Sequence, residues 1–140
     1  MASTSLALQK AILDAIAGIE APNTTGAAGA LVPVYDYEPQ NAALPAIVLT
    51  RHQVDSLGDT LDGNVDSHDI TLEIWTDYHG QRQTVEIVEA IYSRLHNADL
   101  RLVQGICVAC RVQSRTAERL ADDASYRGQV VVIATTQNGD

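Results

Sequence analysis

Residues 67–98 read SHDITLEIWTDYHGQRQTVEIVEAIYSRLHNA, and two periodicities meet inside them. From Ser67 to Asp77 the chain alternates. Ile70, Leu72 and Ile74 fall on one side; Asp69, Thr71, Glu73, Trp75 and Asp77 fall on the other. A period of two with one apolar side predicts a strand with one covered face. Gly80 then breaks the pattern. Over 81–98, Ile87, Val88, Ile91, Leu95 and Ala98 recur at helical spacing, with Arg82, Glu86 and Glu89 opposite. A one-sided strand running into a one-sided helix calls for a helix layer packed on a sheet.

The flanking segments extend that layout. Residues 5–20 put Leu8, Ile12, Ala15, Ile16 and Ile19 on one helical stripe. Ser3, Thr4 or Ser5 can cap its start, and Pro22 bars its continuation. A short extended piece is expected at 31–35, where Pro33 suits a sheet edge. Residues 46–54 read as a strand with Ile47, Leu49 and Arg51 on one face and Val48, Thr50 and His52 on the other. The stretch DSLGDTLDGNV, 55–65, reads as a polar linker. Residues 106–116 and 125–136 are two more strands. The apolar run from Val130 to Ala134 predicts a central strand covered on both faces. The expected order is α-β-β-β-α-β-β. This is one α+β domain over 1–140, with two helices packed on a mostly antiparallel β-sheet.

Five Tyr, one Trp and no Phe leave Val, Ile, Leu and Ala to fill the core. At 46% apolar and 19% charged, the composition is that of a folded chain. A net charge of −9 argues against gripping nucleic acid by its phosphates, because that affinity comes from Lys and Arg. No signal peptide, lipidation motif or membrane-spanning run is visible, so folding in a cytosol and no membrane contact are expected.

The stretch DGNVDSHDITLE, 62–73, nearly matches a calcium loop, with Asp62, Asn64, Asp66 and Glu73 at ligand positions. Ser67 replaces the glycine of the sharp turn, and Glu73 belongs to a strand rather than to an exiting helix. The expectation is a solvated hairpin loop running into an edge-exposed strand face, with no metal and no cofactor. The acids still carry information. From His52 to Gln81 there are seven acids and no Lys or Arg; from Arg82 to Arg127 there are seven Arg and six acids. Arg111, Gln113 and Arg115 would share a polar strand face with Cys107. Such segregation is either accidental or the mark of one copy's acidic hairpin meeting the next copy's Arg face. The candidate contact residues are Asp62, Asp66, Asp69, Glu73, Trp75, Arg111 and Arg115. Trp75 is placed either beneath the helix layer or in a contact between copies.

Cys107 and Cys110 form a C-x-x-C on a strand, where residues three apart point to opposite faces. That geometry fits neither a disulfide nor a shared metal; one core Cys and one packed or surface Cys are expected. The four His are scattered, and no nucleophile elbow, phosphate loop or zinc helix is present, so no catalytic residue is assigned.

The order of fragments resembles the tail-completion, or tail-terminator, proteins of long-tailed bacteriophages and related gene transfer agents. The likeness covers roughly residues 5 to 136. It runs through LQKAILDAI, VYDYEPQNAALPAIVL, HDITLEIWTDYHGQRQTVEIVEAIYSRLHNADLRL and RVQSRTAERLADDASYRGQVVVIAT. The resemblance implies a non-enzymatic virion protein at the tail–neck, assembled in the bacterial cytoplasm. It implies a sixfold ring that caps the tail tube, faces the head-side connector or stopper, and lets genome DNA pass without specific binding. A stopper-like neck component and a small enzyme or ligand-binding domain are the other readings.

Overall fold

The computed structural model describes residues 4–19, 32–36, 45–60, 63–76, 82–103, 105–119 and 126–138. Helix α1 spans Thr4–Ile16. Strand β1 is the short Val34–Tyr35, followed by β2, Ala46–Thr60, and β3, Gly63–Thr76. Helix α2 covers Arg82–Leu95, and β4, Ile106–Arg119, and β5, Tyr126–Asn138, close the chain. The expected order α-β-β-β-α-β-β and the α+β class are what is observed. The five strands form one sheet in the order β1-β2-β3-β5-β4. Every pairing is antiparallel except the two-residue parallel contact of β1 with β2.

Both helices lie on the same sheet face, called here the helix side. Leu8, Ile12 and Ile16 of α1 and Ile87, Ile91 and Leu95 of α2 are buried against Ile47, Ile70, Leu72, Ile74, Val130 and Val132. Burying each such side chain is worth about 1.5–3 kcal/mol. The helix ends are set by backbone chemistry. α1 stops at Ile16, before Gly18 turns left-handed at φ 86°, so Pro22 is not what ends it. Arg94 of α2 donates to the carbonyls of Ala15 and Ala17 at 3.3 and 2.7 Å, capping that end. α2 stops at Leu95 because Asn97 turns left-handed at φ 58°, and its N–H goes to Cys110 O at 2.8 Å. Gly128 of β5 lets α2 approach closely: a Cβ there would stand 2.7 Å from Val88 Cγ2.

Several local expectations are corrected. Residues 55–60 and 63–65 are not a linker; they are the outer part of the β2–β3 hairpin, paired from Asp55↔Ser67 to Thr60↔Gly63. β5 runs beside β3 as far as Asn64↔Asn138, so the polar stretch is stabilised by ladder hydrogen bonds that side-chain pattern does not reveal. β3 is therefore interior, not edge-exposed. β5 is central as expected, but only its helix side is covered. Val130, Val132 and Ala134 are buried, while Val131, Ile133 and Thr135 on the other face are half-buried.

Four β-bulges rearrange the faces. Register shifts fall between Leu49 and Arg51 and between Ser56 and Gly58 in β2, and between Cys107 and Ala109 and between Val112 and Ser114 in β4. Each inserts one residue and reverses the in–out parity beyond it. His52 thus joins Ile47 and Leu49 on the helix side, and Arg51 joins Val48 on the outer face. Cys107 and Cys110 fall on the same side, opposite Thr136 and Ala134, contrary to the alternation argument. Arg115 turns to the helix side with Cys107, while Arg111 stays outside.

Candidate assembly surface

The uncovered sheet face is built row by row across β2, β3, β5 and β4. One row reads Ala46, Trp75, Arg127, Glu118; another reads Val48, Glu73, Gln129, Thr116. A third reads Gln53, Asp69, Ile133, Arg111, and a fourth Asp55, Ser67, Thr135, Ala109. Acids concentrate on the β2–β3 half, as Asp55, Asp69 and Glu73. The arginines Arg111 and Arg127 stand on the β5–β4 half. Arg51 and Glu118 are the exceptions, so the gradient is real but mixed.

Of the expected contact residues, this face gathers Asp69, Glu73, Trp75 and Arg111. Asp62 lies outside the described residues. Asp66 faces the helix side, opposite Thr136. That also disposes of the calcium loop, since Asp66 and Glu73 stand on opposite faces of the sheet and cannot share an ion. Among the described residues no group of three or more His, Cys, Asp or Glu is placed to hold a metal. Arg115 is engaged within its own copy. Its Nε lies 2.5 Å from Glu89 Oε2, and its guanidinium sits 3.7 Å over the Tyr92 ring. Its charge is thus already paired within its own copy, on the opposite face from Arg111.

Trp75 lies on the outer face, not under the helices. Its indole N–H donates to Glu73 Oε1 at 3.0 Å, and Arg127 stands 5.3 Å over the ring. Arg127 Nη1 also approaches Glu73 Oε1 at 3.8 Å. These three hold one another, and Glu73 and Arg127 wall a shallow hollow of about 120 Å³ with Thr116, Glu118 and Gln129. Arg127 shares this face but was not among the expected residues; alternation outward from Val130 places it on the face of Gln129 and was the available signal. Asp69 leaves Oδ1 buried without a hydrogen-bond partner, an uncommon state that costs about 1–3 kcal/mol.

The two sheet flanks are open and apolar in part. β4 is an edge strand, with Ile106 and Val108 exposed beside Val103. Among the described residues β1 pairs with only Ile47 and Val48 and no strand covers the outer part of β2, which exposes Val54 and Leu57. Bulges at Leu57 and Val108 interrupt both ladders, a usual guard against indiscriminate strand addition.

The cysteines are not a reactive pair. Burial pushes the Cys107 thiol up, and pushes Cys110 up to about 12. The thiolate is the nucleophile, so buried Cys110 is unreactive near neutral pH and half-buried Cys107 is slow to react. Mildly alkaline treatment of the folded protein with a thiol-specific disulfide reagent is expected to leave Cys110 unmodified and to react with Cys107 slowly. Denaturant should make both react. Rapid modification of Cys110 in the native state would contradict this placement.

No helix among the described residues is long and apolar enough to cross a membrane. None of the curated proteins matches the chain. Among solved structures, a chain from the virion of a native gene transfer agent particle shares the fold with a TM-score of 0.67. It is 24% identical, and the match covers 75% of this chain and 78% of that one. The family described as tail completion protein gp17 matches residues 10–137, nearly the whole chain, and with its fold and fragment order the chain belongs to that family.

Proposed function

We propose that this chain is a non-enzymatic structural protein of a long-tailed phage or gene transfer agent particle. Copies close into a ring, sixfold in the family reading, that ends the tail tube and joins it to the head-side connector. Assembly takes place in the bacterial cytoplasm, and the finished ring sits at the tail–neck. The observation that carries the ring is that one sheet has two unlike open flanks. The β2–β3 flank is acidic with Val54 and Leu57 exposed; the β4 flank carries Arg111 with Val103, Ile106 and Val108 exposed. Unlike surfaces on one molecule make a head-to-tail contact, which closes a ring when the rotation permits. An acidic ring also lets DNA slide through, since repulsion keeps phosphates from adhering.

Purified protein is expected to show rings with a central hole by negative-stain microscopy. Arg111→Glu combined with Val108→Asp should leave a folded monomer that forms none. Changing Arg111 alone should have a small effect, because an exposed pair is worth only about 0–1 kcal/mol. Particles lacking the protein should accumulate filled heads together with overlong or unjoined tails. Normal tails and joined particles in its absence would overturn the reading. Capture by heads rather than by tail tubes would instead make it a stopper-like neck component.

A further inference from the structure

On the helix side, four side chains from four elements form a continuous line. Gln9 Nε2 of α1 stands 2.9 Å from His52 Nδ1 of β2. His52 Nε2 stands 2.8 Å from His68 Nδ1 of β3. His68 Nε2 stands 2.7 Å from Thr136 Oγ1 of β5. The bulge at Thr50 makes the line possible; without it His52 would point to the outer face. His68 and Thr136 are fully buried, and the two rings lie 5.1 Å apart between centroids.

The bonds have one direction. An amide nitrogen only donates, so His52 accepts at Nδ1 and carries its proton on Nε2. That proton goes to His68 Nδ1, so His68 in turn carries its proton on Nε2 and donates to the threonine hydroxyl. Both rings are neutral, and each fixes the tautomer of the next.

The surroundings contain little charge. Asp66 shares the helix side of β3 two residues from His68, while Asp69 faces outward. On β2, Val54 and Ser56 share the side of His52, and Arg51 and Asp55 face outward. Among the described residues β5 offers the uncharged Val132, Ala134 and Thr136, and β4 offers the thiols Cys107 and Cys110, opposite Thr136 and Ala134. On α1, Lys10 and Asp14 pair with each other in solvent at 2.8 Å. Arg94 of α2 is committed to the α1 carbonyls.

We infer that Gln9, His52, His68 and Thr136 form a two-proton clasp: it fastens α1 and the β2–β3 hairpin to β5 while at most one ring is charged, and opens when both are. A first proton on His68 is tolerated. His52 then switches tautomer, accepts at Nε2, and donates from Nδ1 to a turned-over Gln9 amide, so every bond survives. A second proton leaves two N–H donors facing each other across the His52–His68 contact. No rearrangement of tautomers relieves that.

The order of charging follows from the environment. Burial lowers the His68 pKa and Asp66 partly opposes it; burial and then His68 lower the His52 pKa. In the clasp the first proton goes to His68, because Asp66 stands on the same face of the same strand. Both folded pKa values lie below the ordinary 6.5, so the unfolded chain binds more protons as pH falls. The stabilisation from the clasp is therefore complete above that value and is lost as pH drops through the range below it.

The test is imidazole nitrogen NMR on the wild-type chain from neutral to acid pH, with amide hydrogen exchange. At neutral pH both rings should show the Nε2–H form, and His68 should charge before His52. As His52 charges, protection of the α1 amides should fall roughly tenfold or more relative to α2, as local opening does. In His52→Gln, which keeps a donor and an acceptor but cannot charge, that acid-induced loss should disappear. An Nδ1–H tautomer on either ring, independent titration near 6.5, or an unchanged loss in His52→Gln would each overturn the clasp. If the variant does not fold, the wild-type tautomers and charging order still decide.

Discussion

Trp75→Ala is expected to leave a chain that folds and melts nearly as the parent does, yet no longer closes rings. The expectation follows from where the indole lies. It is half-buried on the sheet face away from both helices, so its removal opens no cavity in the core. Within one copy it has an N–H donated to Glu73 and an arginine over the ring, at 3.0 and 5.3 Å. An exposed cation–π contact is worth about 0.5–1 kcal/mol, so the monomer should lose little. A large aromatic pre-positioned in this way is the kind of anchor that costs about 2–4 kcal/mol when truncated at an interface. A ring repeats the loss at every contact, which makes a modest local change decisive for closure. Light scattering and a circular dichroism melt on the same sample separate the outcomes. Unchanged assembly would remove Trp75 from the contact surface.

Gly128→Val should have the largest effect on the folded monomer. Its Cβ would stand 2.7 Å from Val88 Cγ2, 3.0 Å from Thr84 Cγ2 and 3.3 Å from Ile74 Cβ. The first belongs to Val88 on α2, which holds one main rotamer in a helix and cannot swing away. Thr84 is also tied by a 2.8 Å hydrogen bond to Thr76. α2 must therefore lift off the sheet. Overpacking of this kind costs about 1–3 kcal/mol, and the added branch brings the change to the upper end. For a chain of this size each kcal/mol moves Tm by about 2–4 °C, so a drop on the order of 10 °C is expected. Gly128→Ala paired with Val88→Ala should show favourable coupling in a double-mutant cycle, because the second change vacates the space the first invades. A Gly128→Val melt within a degree or two of the parent would contradict the close approach.

Much of this architecture is legible in the sequence. The alternation of Ile70, Leu72 and Ile74 and the helical stripe from Ile87 to Leu95 each bury one face, and hydrophobic burial dominates where such segments settle. The two helices and the central β5 followed from the same signal, while the edge position of the 31–35 segment followed from the missing N–H of Pro33. The outer hairpin did not, because its strand character comes from backbone hydrogen bonds of β2 to β3 and of β3 to β5, which no polar side-chain pattern encodes. Helix ends shifted by a few residues because Gly18 and Asn97 turn left-handed earlier than Pro22 and Ala98 suggested.

The candidate site was only half legible. β3 carries no bulge, so alternation placed Asp69, Glu73 and Trp75 together correctly, and Arg111 kept its outward face. Arg115, the two cysteines and His52 were misplaced for one shared reason. A bulge is an extra residue in one strand relative to its partner, and its position depends on the pairing of two segments distant in the chain. Periodicity within a single segment cannot see it. Sequence alone determined which segments hide an apolar face, and with that the layers and their order. Only the tertiary pairing decided which polar side chains meet, because one unmatched residue in a ladder reverses every face beyond it.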